Sequence, residues 1–356
     1  VGDESRIFWQ KSDPGSDVDD KTFIGTPGVA LPAAPSRTRL PVRELFSKHY
    51  EKIREWCTSQ SRTGVALVAM DGESVHGAAF LASKPGTVAT AILGRHSQAD
   101  LQLRGDASVS LRHLALLLYP DGGARPRYRL LDLRTATGFL DERGRRLRAI
   151  EVDGPAFVRL GAYTVLFFPV TTASPPWPED AEQGWATIPD RLYLDEVETE
   201  EKSAEWEADS DRAWEIDELP RLQEPPTLVH SIAGPEMAVH ELLDENDEVL
   251  GELRITSTRG LATIVVGRRA AEAGILLGRS RRCDAGRVLS DRGISRVHLL
   301  LIAIQGNLYA IDTASSNGVF GQEEEPERAV RLDVEQKLSL SDLATVEWRP
   351  STSTND

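Results

Sequence analysis

Cysteine is nearly absent from this chain: Cys57 and Cys283 are the only two in 356 residues, which builds neither a disulfide framework nor a zinc quartet. A reducing compartment, the cytoplasm, is the expected setting. No apolar run approaches the roughly 20 residues of a membrane helix, so no membrane span is expected. Residues 1–28 carry charge and proline where a secretory leader carries an apolar stretch, and nothing in them reads as an export signal. Walker loops, metal-ligand clusters and nucleophile elbows are missing too, and Gly25-Thr26-Pro27-Gly28 is too short a glycine signal to cradle a phosphate. The expectation is a protein that is not an enzyme, with no cofactor and no metal. Lysine is scarce as well, 7 against 34 arginines, a bias of GC-rich bacterial genes.

What is present is the composition of a folded protein, 40% hydrophobic and 27% charged. The length exceeds one ordinary core, and domains of about 100–200 residues make two the starting expectation. Net charge is −15, and most of it is local. Residues 179–224 hold 17 acidic side chains against 4 basic ones, a net of −13. Nucleic acid repels such a segment, because polyphosphate binding relies on accumulated Lys and Arg to release counterions. A protein partner is expected, and no nucleic acid.

Residues 1–40, rich in Pro, Gly, Ser and Asp without a sustained period, read as a flexible arm. From Pro41 to Cys57 the apolar residues Val42, Leu45, Phe46, Tyr50, Ile53 and Trp56 recur at spacings of three and four, which predicts one amphipathic helix. After Gly64, short β-branched and aliphatic runs are separated by turn signals at Asp71-Gly72, Lys84-Pro85-Gly86, Asp121-Gly122-Gly123 and Asp153-Gly154. Residues 41–171 therefore read as a helix followed by an all-β domain. Residues 172–235, proline-flanked and acidic, read as a linker. It holds Trp177, Trp185, Trp206 and Trp214, four of seven tryptophans, so parts of it are expected to dock. A helix over residues 197–219 would place Trp206, Ala213 and Trp214 on one face, against the poor helix sequence at 209–211. Strand-like runs return in residues 236–350, at 251–256, 262–268, 274–277, 297–304 and 308–312, and residues 351–356 form a tail.

The two β regions repeat one another. Ile92-Leu93-Gly94-Arg95 with Ala99-Asp100 corresponds to Leu276-Leu277-Gly278-Arg279 with Cys283-Asp284, an offset of 184. Ser110-Leu111-Arg112-His113 matches Ser295-Arg296-Val297-His298 at 185. Residues 128–138 match 309–318, with Asp132 over Asp312, and 158–166 match 338–346, both at 180. Four anchors in constant order make chance a poor explanation.

At these residues the sequence resembles the forkhead-associated (FHA) domain, marked by Gly-Arg, then Ser-x-x-His, then Asn-Gly after a short strand. The C-terminal copy has all three marks. The resemblance covers residues 65–170 and 246–350, and implies two FHA-like β-sandwiches joined by the acidic linker, with the ligand on the loops at one end of the sandwich. It also implies an adaptor that binds a phosphothreonine-containing protein, a Ser/Thr protein kinase or its substrate. A phosphate carries nearly two charges and three acceptor oxygens, which a guanidinium answers with a planar fork of donors. By resemblance Arg279, Ser280, Ser295, Arg296, Ser316 and Asn317 hold the phosphopeptide, while Gly278, His298 and Gly318 support the loops. Arg281, Arg282, Arg287 and Arg292 crowd the same stretch, a local cationic spot in an acidic protein.

Other readings of these residues are open to comparison. Ser295 and His298 could serve as nucleophile and base, although no orienting acid stands in the pattern. The arginines could face nucleic acid, which nearby Asp284, Asp291 and the acidic run oppose, and they could lower the pKa of Cys283 into a reactive range. In the first copy Arg95, Ser110, Arg112 and Thr137 are candidates for a second site, but Ala136 and Thr137 stand where Ser316 and Asn317 stand. That copy is expected to bind weakly or without phosphate, and to serve docking to the linker or dimerisation. The alternative for the whole chain is a phosphate-independent scaffold subunit of a larger complex. An intramolecular contact is also expected, the acidic linker around Thr199 competing for the arginines.

Overall fold

The computed structural model describes residues 40–120, 125–195, 225–235, 247–321 and 325–351. The arm at 1–39, the helix expected over 197–219, Thr199 and the tail from 352 lie outside the described residues.

Helix α1 spans Val42–Thr58, as its periodicity predicts, and buries Val42, Leu45, Phe46, Tyr50, Ile53, Trp56 and Cys57 on one face. That face lies on Ala66, Val68, Met70, Phe157, Leu166 and Phe168 of the neighbouring sheet. Trp177 and Trp185, from the stretch read as a linker, dock there too. Helix α2, Ala181–Ala186, carries Trp185 and starts at Asp180, whose carboxylate accepts the Gln183 amide. Gly184 permits this close approach, because a Cβ there would meet the Tyr50 ring at 2.4 Å.

The first half holds two sheets. In chain order the strands are β1 Gly64–Met70, β2 Val75–Ala82, β3 Ala89–Gly94, β4 Leu101–Gln102, β5 Leu114–Leu118, β6 Tyr128–Asp132, β7 Phe139–Leu140, β8 Arg146–Leu147, β9 Ala149–Val152, β10 Ala156–Leu160 and β11 Tyr163–Val170. One sheet runs β2-β1-β11-β10-β7-β8. The other runs β12-β13-β9-β6-β5-β3-β4, where β12 is Arg191–Asp195 and β13 is Thr227–Ser231. Both ends of the expected linker thus add strands to the first sandwich: β13 pairs antiparallel with β9, and β12 parallel with β13.

The second half repeats the layout with fewer strands. Its sheets are β15-β14-β21-β20 and β16-β17-β18-β19, from β14 Val249–Ser257, β15 Gly260–Gly267, β16 Ile275–Leu277, β17 Leu299–Ile304, β18 Asn307–Asp312, β19 Ala329–Arg331, β20 Gln336–Ser339 and β21 Ala344–Pro350. A short helix α3, Arg268–Ala273, precedes β16 and buries Ala270, Ala271 and Ala273. Mostly β structure with few helices is the all-β class expected.

Strands β5 and β17 are apolar on both faces, the pattern of a strand covered from two sides. Leu114, Leu116 and Leu118 point into the core of the first sandwich, and Leu299, Leu301 and Ala303 into that of the second. The opposite faces meet each other. Ile92, Ala115, Leu117 and Leu131 of the first half form one core with Leu276, Leu300, Ile302 and Tyr309 of the second. At about 1.5–3 kcal/mol for each fully buried large aliphatic side chain, this third core couples the halves firmly. Ion pairs edge it: Arg134 meets Asp284 at 3.0 Å, and Arg328 meets Asp100. The halves are therefore packed sheet against sheet, and the linker does not hold them apart.

Candidate functional site

The loops at one end of the second sandwich are built around His298, which has no exposed surface. Its Nδ1 accepts the Ser295 amide at 3.1 Å and its Nε2 donates to the Gly318 carbonyl at 3.0 Å. This pattern needs a neutral ring with its proton on Nε2, and burial lowers the pKa of His298 accordingly. One side chain so ties the Ser295 loop to the Gly318 loop. Backbone pairing adds the third: the Arg279 amide donates to Ser295 at 3.0 Å, and that of Ser280 to Arg296 at 3.0 Å. A Cβ on Gly278 would stand 2.5 Å from the Arg296 carbonyl oxygen, so this pairing requires glycine.

The turn after β18 is held by its own side chains. Asp312 accepts the Ser315 amide at 3.0 Å, and the Ser315 hydroxyl accepts the Gly318 amide at 3.0 Å. Ala314 adopts φ 59°, the left-handed region. From this turn the Ser316 amide donates to Ser295 Oγ at 3.1 Å, and Asn317 Nδ2 donates to the Gly293 carbonyl at 2.8 Å. Asn317 thus braces the loop ahead of Ser295, and its side-chain oxygen has no partner among the described residues.

The residues expected to bind lie on these loops. Arg279, Arg296, Ser316 and Asn317 are exposed, Ser280 is half-buried, and Ser295 is 7% exposed at the floor. The Ser280 hydroxyl accepts the Arg282 amide at 3.3 Å. The guanidinium groups of Arg279, Arg281, Arg287, Arg292 and Arg296 make no hydrogen bond or ion pair with any described residue. These exposed cations sit in the segment between β16 and β17 that also carries Ser295, a local positive charge in an acidic protein.

The chemical alternatives do not match this geometry. His298 accepts from the Ser295 backbone, not its hydroxyl, and its other nitrogen is spent on Gly318, which leaves no base for a nucleophile. Cys283 is buried with its thiol pushed up to about 12 by desolvation, and it donates to the Arg296 carbonyl at 3.3 Å. It is an inert side chain.

The first sandwich repeats the histidine and aspartate-turn bonds of this scaffold. His113 accepts the Ser110 amide at 3.1 Å and bonds the Gly138 carbonyl at 2.8 Å. Thr135 and Asp132 form the same turn, with Arg134 at φ 52° in the place of Ala314. The ends of its loops differ. Arg95 turns its Nε back onto the Val109 carbonyl, and Thr137 brings no amide. Arg112, expected with a second site here, is not on this loop end. It is 6% exposed in the contact between the halves, because the third position of Ser-x-x-His faces outward from the sheet, where the second copy has Val297. Its Nε donates to the Thr313 carbonyl at 2.8 Å and the Ala314 carbonyl at 3.0 Å, and its Nη2 lies 3.3 Å from Ser295 Oγ. An arginine between Leu111 and His113, just ahead of a doubly apolar strand, was the signal for such a buried contact.

Residues 275–341 match the FHA domain family. None of the curated proteins compared with the chain matches it. Among solved structures the chain is similar to FHA-1 of Mycobacterium tuberculosis Rv1747, at 25% identity over 29% of this chain and 98% of that one, with a TM-score of 0.24. It is similar to the FHA domain of CT664 from Chlamydia trachomatis at 23% identity, covering 30% of this chain and 99% of that one, TM-score 0.25. Mycobacterium tuberculosis EmbR, in complex with a low-affinity phosphopeptide, matches at 24% identity over 30% of this chain and 26% of EmbR, TM-score 0.24.

Proposed function

We propose that this chain, which carries an FHA domain at residues 275–341, is an adaptor that binds a partner protein through a phosphothreonine. The observation that carries the reading is the exposed guanidinium of Arg279, without a partner among the described residues, on a loop whose backbone pairs with Ser295, in a protein of net charge −15. Arg279 supplies the charge and the forked donors for the phosphate. Ser295 and Ser280 add hydroxyls, and the open carbonyl oxygen of Asn317 takes a backbone amide of the peptide. Arg296 and Ser316 flank the phosphate, while His298, Gly278 and Gly318 hold the loops. The partner is a Ser/Thr kinase or one of its substrates, met in the cytoplasm.

Calorimetry of the full chain with matched peptide libraries, phosphorylated and unphosphorylated at a central threonine, tests this. Preference for the phosphorylated library, lost in Arg279→Ala, is expected; equal affinity for both rejects it. A scaffold reading applies to the first sandwich, where Arg95 is held by an Nε–H bond to the Val109 carbonyl and Thr137 stands in place of the amide. Its task is docking without phosphate.

A further inference from the structure

Ser295 Oγ has two acceptor sites, and both are taken from within the protein. One receives the Ser316 amide at 3.1 Å and the other faces Arg112 Nη2 at 3.3 Å. The hydroxyl proton then has one direction left, out of the floor toward the open loops, and among the described residues it has no acceptor. The same guanidinium clamps the Thr313 and Ala314 carbonyls, and Ala314 is the left-handed residue that turns the chain toward Ser316 and Asn317. One side chain therefore sets both the donor direction of Ser295 and the position of the loop that carries Asn317.

We infer that Arg112, carried by the first sandwich, is a positioning residue of the anion site on the second, so that phosphate recognition depends on the contact between the two halves. The inference rests on the phosphopeptide reading above and adds to it a residue from the other domain. The contact is directional. Arg282 of the second half donates to the Arg134 carbonyl, the counterpart of the Arg112 to Ala314 bond, but among the described residues no guanidinium of the second half bonds the Ser110 hydroxyl. The residue that would reach it is Val297, which is apolar and buried in the shared core. Burial holds the pKa of Arg112 down, to about 10, with Arg328 and Arg279 nearby pushing the same way and Asp312 opposing; it remains a cation at neutral pH. Its charge therefore also adds to the field that Arg279 presents to an anion.

The test uses the full chain and a fluorescein-labelled degenerate peptide pool with a fixed central phosphothreonine, beside the same pool unphosphorylated. Arg112→Met should weaken binding of the phosphorylated pool about tenfold or more. Leu117→Ala, which loosens the same interface without touching the loops, should weaken it less than about twofold. Equal losses in the two variants, or a loss under twofold in Arg112→Met, would overturn the inference. Arg112→Lys retains the charge without the fork, and full restoration of affinity by lysine would make charge alone responsible and overturn positioning. A second readout is exchange of the Ser316 amide, followed by NMR of the labelled full chain. It should be at least about tenfold faster in Arg112→Met, since its acceptor is no longer held. Wild type that fails to prefer the phosphorylated pool sinks the functional proposal, and the exchange rate then decides the role of Arg112 by itself: an unchanged rate ends it.

Discussion

The two sandwiches share a loop scaffold and part company at the ligand end. In both, a buried histidine, an aspartate turn, a left-handed residue and a glycine lock three loops together with nearly identical distances. In the second, the arginine after β16 has no side-chain partner among the described residues; in the first, its counterpart after β3 donates Nε–H to the Val109 carbonyl. Scaffold and grip are thus separable. The scaffold residues sit in the interior, where an unpaired polar group costs about 1–3 kcal/mol, so their loss would unfold the loops whether or not a ligand is bound. The grip residues are exposed and carry no such penalty. Such residues can change at little cost to stability, while the outer sheet faces of both copies are committed to the contact between them.

The sharpest way to break this comparison is to remove the two arginines in turn. Arg279→Ala should lower affinity for the phosphothreonine pool by on the order of 1000-fold, since two or three charge-assisted bonds of about 1.5–3 kcal/mol each are lost. Arg95→Ala should stay within about twofold. A comparable loss at Arg95, read by fluorescence polarisation, would show that the first copy also binds.

Removal of the histidines should treat the copies alike. His298→Ala and His113→Ala each orphan two buried partners and open a cavity, and should cost about 2–4 kcal/mol in urea unfolding. A large cost for only one would show that the shared scaffold is not equally weighted.

At the site itself, Asn317→Ala should weaken peptide binding about tenfold while hardly changing stability, as expected for an exposed side chain. The pH dependence is smaller and again common to both copies. Burial lowers the pKa of His113 and His298 in the folded protein, so the unfolded chain binds protons first as pH falls. Their stabilising share is fully present above about pH 6.5 and is lost as pH drops below it. The urea midpoint should fall between pH 7.5 and 5.5, and a flat midpoint would contradict neutral, buried rings. Thr137→Asn should do least: with Arg95 still turned onto Val109, it should leave binding unchanged, and a gained second site would mean that the amide alone separates the copies.

Much of this was legible in the residues. The helix from Val42 followed from apolar spacing, the strands from short aliphatic runs between turn signals, and the repeat from four ordered anchors. The cluster of Arg279, Ser295 and Asn317 followed from the spacing of family marks, which bring three distant loops together once the fold is given. The short helix Arg268–Ala273 was hidden, because six residues between strand runs carry too little periodicity to separate helix from turn. Arg112 was read as a member of a second site because its neighbours in sequence belong there.

The residues alone determined which strands form and which copy keeps all three family marks, and their unbroken apolar runs at 114–118 and 299–304 leave no face of β5 or β17 suited to water. They did not determine what covers those faces. Alternation along a strand is a local property, set by successive side chains pointing to opposite sides, whereas the partner of an outward face is chosen by fit with another surface far along the chain. Only the tertiary structure turned the third residue of the first Ser-x-x-His into a contact of Ser295, some 180 residues away, because a guanidinium buried between two sheets takes whichever carbonyls and hydroxyls the opposing sheet presents.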